Sequence, residues 1–472
     1  MFEPVIAPSA TLLGLLQRGR GDGTLHALTA PRSEALTALN HCVRSDPRRD
    51  WQVENRSLYY ARLYLDLHGG LEEIEQHLFD PDDLLDTDES RTGLALSVLG
   101  HLASYGRRDA LLLLRRYAAS GGNWAWALDE LALRDDDAGL RALAVPVLAR
   151  FPADAEGEAE LAATVRDAFE PRPWRLWADD PREALAVRIR TAREKGSFDR
   201  WQRQMGPGGP GPEWSVRAVL DWADRDPRRG TSPHAPAARC LTAVAAPEDR
   251  PQIIEAARSG QDGARCTALR YLADAHDPQV LDLIEAAAAS GSATVVAAAV
   301  AAFERMRSTA AVDRARRWAG RPDALGAAAG QVLACRGAAR DADLVLDALR
   351  ETVRAEGPDV PSLGSLVDGT GRLGIACAAP VLRHVYRETA SSHLRGRAAR
   401  ALAATDPSFP AGFAVECLWD CEESTREVAA RHAETGDARV VDQLRRLAAD
   451  PAEEADVQTA VRSRIGPDAP SV

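Results

Sequence analysis

The second half of the chain repeats. "ARCTALRYLADAHDPQVLDLIEAA" starts at Ala264, "LRGRAARALAATDP" at Leu394 and "TREVAARHAETGDARVVDQLRRLAAD" at Thr425. Each opens near an arginine with an alanine three residues on: Arg265 and Ala268, Arg395 and Ala398, Arg426 and Ala429. Each then reaches an aspartate, in "HDPQ", "TDPS" or "GDAR", and in the first and last a second apolar helical pattern follows directly. Taking the first core position of each second helix gives Ile253, Val280, Val312, Leu344, Val381, Phe413 and Val440, at intervals of 27 to 37 residues. A helix–turn–helix unit of that size cannot bury its apolar stripe alone, so such units stack on their neighbours. Alanine on the first helix lets helices approach closely, and the turn aspartate ends one helix and can cap the next.

These residues resemble HEAT-like repeats, in particular the bacterial type similar to the phycobilisome-lyase repeat. The resemblance covers residues 235 to 455, and reaches 55 to 150 more faintly through "RTGLALSVLGHLASYGRRDALLLLRRYAAS". It implies an all-α fold, an α-solenoid of stacked helical hairpins. It implies little about function, because such arrays serve many tasks.

Composition agrees with helices: alanine, leucine and arginine are abundant and lose little on entering one. The net charge of −12 gives no support to a general nucleic-acid binder, which needs a basic stripe. Lys195 is the only lysine; GC-rich coding accounts for that bias without a functional role. The opening residues carry no basic region ahead of their short apolar run, and no stretch approaches the ~20 apolar residues that span a bilayer. Seven cysteines lie scattered without paired spacing, the pattern of a reduced, cytoplasmic protein.

The middle of the chain differs. "EPRPWRLWADDPR" (170–182) carries three prolines and reads as an ordered loop crossing the stack, and "MGPGGPGP" (205–212) as a linker. The expected organisation is a helical, tryptophan-richer segment over 1–204, the linker, and a repeat solenoid over 213–472. Eight of the ten tryptophans lie between Trp51 and Trp222.

Candidate binding residues gather in that first segment. In "GNWAWALDELALRDDD" (122–137), a helix places Trp124, Leu128 and Leu131 on one face. Trp126, Asp129, Glu130 and Leu133 point elsewhere, because two residues turn a helix by about 200°. Trp124 therefore packs between helices. Trp126 lies at the next repeat interface or on a concave surface, where an indole beside carboxylates can stack on and pair with a cationic group. Trp174 and Trp177 are the other candidates for partner contact, against interdomain packing. The sequence also loosely resembles HEAT-like DNA alkylation-repair glycosylases, in which a tryptophan followed at helical spacing by aspartate handles a cationic base. Trp126 with Asp129 falls one residue short of that spacing, and Trp126 with Glu130 has the wrong acid.

Other motifs read as structural. "GTGRLG" (369–374) fits a dinucleotide fingerprint but falls where other units carry a turn, without the required strand. "DPDDLLDTDE" (80–89) lacks the glycine and terminal glutamate of a calcium loop. Cys417 and Cys421 share a helical spacing with no second pair to complete a zinc site. His384, Tyr386, Glu388, Ser391 and His393 have no nucleophile elbow, and no His-Glu dipeptide exists for an iron hydroxylase. No metal or cofactor is expected. The leading reading is a non-enzymatic scaffold for a protein partner with a basic patch, with no role for nucleic acid or membrane. The alternatives are a glycosylase or other enzyme built on the tryptophan and acid region, and a bilin-lyase-like chromophore handler, which no cysteine or histidine arrangement supports.

Overall fold

A computed structural model describes residues 5–48, 54–205, 213–224 and 234–465, with the backbone alone over 197–205. The described residues are helical with no strand, forming 29 α-helices and three short 3-10 turns. None of these helices is long and apolar enough to cross a membrane. The all-α class expected from composition is therefore what the described residues adopt. The linker expected at 205–212 falls, beyond Met205, outside the described residues.

Contacts divide the chain into two compact units, Met1–Gly206 with Tyr386–Ala403 and Pro407–Val472, and Pro207–Val385 with Ala404–Asp406. This differs from the organisation read along the sequence, where 213–472 forms one segment. The residues from Tyr386 onward, apart from 404–406, cluster with the N-terminal helices.

In the second unit, the helices His234–Val244, Asp262–Asp274, Ala293–Arg305, Ala324–Arg336 and Leu363–Arg372 pack one on the next. Between them lie Arg250–Ser259, Val280–Ala288, Thr309–Trp318 and Ala342–Glu356, each packed on the helix that follows it. All seven positions anchored in the sequence fall on second helices of this kind. Ile253, Val280 and Val440 are buried, but Val312, Leu344, Val381 and Phe413 are half-buried, and Ala311, Val345, Leu382 and Ala414 beside them are buried instead. A one-residue step rotates a helix face by about 100°, so a repeat register good to one residue still misplaces the core face. Of the aspartates expected to cap from the turns, Asp437 does so, accepting from Arg439 N–H, while Ser292, Ser308 and Asp323 cap other helices, accepting from the backbone N–H groups of Val295, Ala311 and Gly326.

The turn acids do more than cap. Asp277, Asp341 and Asp406 are buried, and each receives the guanidinium of a preceding second helix: Arg250 Nε to Asp277 at 2.6 Å, Arg316 Nε to Asp341 at 2.7 Å, Arg383 Nε to Asp406 at 2.7 Å. Asp277 also accepts from Gln279 N–H and Asp341 from Ala338 N–H, so one carboxylate fixes both a turn and the neighbouring hairpin. Burial opposes the charge on Asp277, but these bonds outweigh it and hold its pKa below the usual carboxylate range.

The first unit repeats the device with Arg395–Asp420 and Arg426–Glu453, both pairs buried. It also joins the two ends of the chain. Cys421 N–H donates to Gly19 O at 2.9 Å, Arg18 Nε to Glu388 O at 3.2 Å, and Arg56 Nη2 to Ala390 O at 2.6 Å. The helix Gly21–Thr29 packs on Phe413–Cys417, and a side chain at Gly21 would overlap Glu416 O. Cys421 belongs to the same apolar core as Leu16, Leu39 and Tyr60. Sequence separations above 300 residues are invisible to local pattern, which is why the two ends read as separate segments.

Candidate functional site

The tryptophan and acid stretch forms the helix Trp124–Arg134 in the first unit. Asn123 anchors its start, donating from Nδ2 to Thr92 Oγ1 at 2.7 Å and to Asp88 O. Leu128 and Leu131 are buried, and the half-buried Trp124 meets Phe151 and Trp174 edge-on with centroids at 5.9 and 6.4 Å. That face is the one expected.

Trp126 points the other way, onto the helix Glu89–Ser104. Its indole N–H donates to Ser97 Oγ at 2.9 Å, and its ring occupies the space left by Gly93, where an added Cβ would stand 2.9 Å from Cζ3. Glu130 joins the same contact. It accepts from Ser97 Oγ at 2.7 Å and pairs with Arg134 at 2.6 Å, while Arg134 Nε donates to Ser104 Oγ. Burial raises the Glu130 pKa, opposed by Arg134, Ser97 and Trp126. Trp126 and Glu130 therefore bind two helices to each other, and a pocket for a flipped base would need both groups free.

Trp174 and Trp177 are corrected more sharply. Residues 172–178 form the helix Arg172–Ala178 rather than a loop, since Pro171 and Pro173 sit at its start, where no intrahelical N–H is required. Both indoles are buried, their centroids 4.9 Å apart, and Trp177 Nε1 donates to Leu140 O at 2.8 Å. They are core residues and present no face to a partner.

Asp129 stands apart from this network. Among the described residues it accepts one hydrogen bond, from Glu170 N–H at 3.2 Å, and burial, with Glu170 and Glu130 adding, pushes its pKa up to about 6. No basic side chain pairs with Asp129 or Glu170 among the described residues. Beside them Phe169 is 82% exposed, and Leu133, one turn along the helix from Asp129, is 61% exposed.

The remaining motifs resolve into structure. In residues 80–89, Asp80 caps the short helix Pro81–Leu84, and Asp83 pairs with His77 Nδ1 and Arg91. Gly369 and Gly371 lie in the last turn of Leu363–Arg372, and Gly374, at φ +62°, follows it. A Cβ on Gly369 would stand 2.7 Å from Ala334 Cα, so this glycine permits close helix contact rather than phosphate binding. Cys417 and Cys421 are buried, with Tyr386 OH 3.1 Å from Cys417 Sγ. His384 and His393 are exposed, and Glu388 accepts from Ser9 Oγ. Among the described residues no group of three or more His, Cys, Asp or Glu side chains could hold a metal.

A cavity of about 340 Å³ in the first unit was not legible in the sequence. The N-terminal helices contribute Thr24, Tyr59, Arg62, Asp66 and Tyr105, and the C-terminal helices Trp419, Gln443, Arg446 and Asp450. Arg62 reaches Asp450 at 2.6 Å and Glu453 at 3.0 Å, Tyr105 OH donates to Asp450, and Arg446 pairs with Asp66 at 2.7 Å. Burial disfavours charge on Asp450, but Arg62 and Tyr105 hold its pKa below the usual value. His101 is pushed down to about 4 by burial, with Arg134 and Arg62 adding. Contributors more than 300 positions apart leave no spacing to read; the one trace in the sequence is Glu453, which follows Arg426 by the interval that separates Arg250 from Asp277. No protein-family model and no curated protein matches the chain.

Proposed function

We propose that this chain is an α-solenoid of HEAT-like hairpins that acts in the cytoplasm as a non-enzymatic scaffold, docking a protein partner through a basic segment. The serial packing of alternate helices in the second unit supports the architecture. The observation that carries the docking reading is Asp129, a partly buried carboxylate beside Glu170 with no cation, flanked by the exposed Phe169 and Leu133. An arginine or lysine of a partner would supply the missing charge, and an adjoining apolar side chain would cover Phe169. Elsewhere in this region the acids already have guanidinium partners: Glu130 has Arg134, Asp135 has Arg115 and Asp137 has Arg172.

The test is affinity capture from the native cell with the wild-type chain and with Asp129→Asn combined with Phe169→Ser, both checked by circular dichroism. A set of proteins recovered by the first and lost from the second supports the reading. Equal recovery by two folded proteins overturns the site.

A further inference from the structure

We propose that the cavity in the first unit binds a flat, uncharged heteroaromatic molecule with donors and acceptors on its edge, the chemistry of a purine base. This site is separate from the docking surface at Asp129 and does not depend on it.

The charges argue first. Four guanidinium groups line or back the cavity, those of Arg62, Arg395, Arg426 and Arg446, and four carboxylates answer them, those of Asp66, Asp420, Asp450 and Glu453. Each is already paired. The formal charges balance, so a charged ligand would have to compete with an existing ion pair, whereas a neutral one leaves all of them in place.

The walls argue second. Tyr59, Tyr105 and Trp419 face the cavity among Leu63, Leu65 and Leu447, a lining that suits an aromatic ring. The third argument is hydrogen bonding. Thr24 is only 5% exposed, and its hydroxyl lies beside the Tyr59 phenol without hydrogen-bonding geometry to any group. Gln443, 7% exposed, donates from Nε2 to Leu418 O, and its carbonyl oxygen can serve as an acceptor. Trp419 has an indole N–H with no acceptor among the described residues, while its backbone N–H is held by Glu416 O. A buried polar group without a partner costs stability, so the Thr24 hydroxyl asks for a ligand group, and the Gln443 carbonyl and the half-buried Trp419 indole N–H offer an acceptor and a donor beside it. The volume lies at the small end of the ~300–1,000 Å³ typical of pockets for small organic molecules.

The experiment titrates the full chain with adenine and with hypoxanthine, by calorimetry and saturation-transfer NMR, with adenosine monophosphate and cyclohexanol as comparators. Trp419→Leu removes the stacking face. Ala449→Phe places a ring at the cavity from an exposed position, with little demand on the fold. The proposal expects a purine to bind wild type and both variants to weaken it, Trp419→Leu by about 5- to 100-fold, the range measured for base–aromatic stacking. Thr24→Val should weaken it less. Unchanged circular dichroism and melting temperature in the variants must accompany those losses. No purine binding at millimolar concentration, equal binding by wild type and both variants, or tighter binding of the monophosphate or of cyclohexanol would overturn it.

Discussion

Removing the Arg395 guanidinium should cost far more than removing its counterpart Arg250 in the second unit. Arg395 and Asp420 are both fully buried. Arg395 Nε and Nη2 donate to the two carboxylate oxygens at 2.8 and 3.0 Å, and Nη2 also lies 3.4 Å from Gly19 O, across the join between the two ends of the chain. In Arg395→Ala, Asp420 would remain buried with Glu422 N–H as its main donor. Orphaning one partner of a buried ion pair costs about 3–5 kcal/mol, whereas replacing both partners by apolar groups of similar volume is often neutral. The expected results are a loss of about 3–5 kcal/mol for Arg395→Ala in urea unfolding and recovery of most of it in Arg395→Met with Asp420→Leu. Arg250→Ala removes the same geometry from Asp277, but the Arg250 side chain is 42% exposed, and water can replace it. Its midpoint shift should be much smaller. Hydrogen exchange in peptides covering 12–29 and 413–432 would localise the Arg395 effect, since both sides of the join should open together. The reasoning fails if Arg395→Ala shifts the midpoint no more than Arg250→Ala, or if the double substitution costs as much as the two single ones added.

Further outcomes follow from the geometry. Gly369→Ala places a Cβ against Ala334 and should destabilise the second unit by about 1–3 kcal/mol in thermal or urea melts, whereas Gly291→Ala, with nothing within 4 Å, should not. Asp129 has its folded pKa raised to about 6, so stability falls as pH rises from its ordinary value, 3.8, through 6; Asp129→Asn should raise the melting temperature at pH 7.5 and lose that advantage by pH 4. A partner held by the ionised Asp129 should also dissociate more readily below pH 6, which binding measurements across that range would show. Glu416, pushed up to about 7 by burial and by Asp22, predicts the same sign over pH 4.5 to 7, with Glu416→Gln stabilising at pH 8. Ending the chain at residue 406 removes the acids that neutralise Arg62 and uncovers the Gly21–Thr29 helix, so limited proteolysis should then attack the N-terminal helices.

Local pattern was enough for the elements and for some of their faces. Helical class, the second-helix positions from Ile253 to Val440, the capping role of Asp437 and the inward face of Trp124, Leu128 and Leu131 all rest on neighbours within one or two turns, where helix geometry ties sequence spacing to direction. Proline at 171 and 173 misled for an equally local reason: it breaks a helix interior but is at home in the first turn, and spacing alone does not say where a helix begins. Tertiary structure decided which polar groups find partners. Trp126 and Glu130 were engaged by Ser97, Trp177 by Leu140, and Arg62 by Asp450, while Asp129 was left with a backbone N–H alone and the Thr24 hydroxyl without a partner among the described residues. Satisfaction of a donor or an acceptor depends on atoms about 3 Å away in space, and in a chain whose two ends pack together those atoms lie hundreds of residues apart.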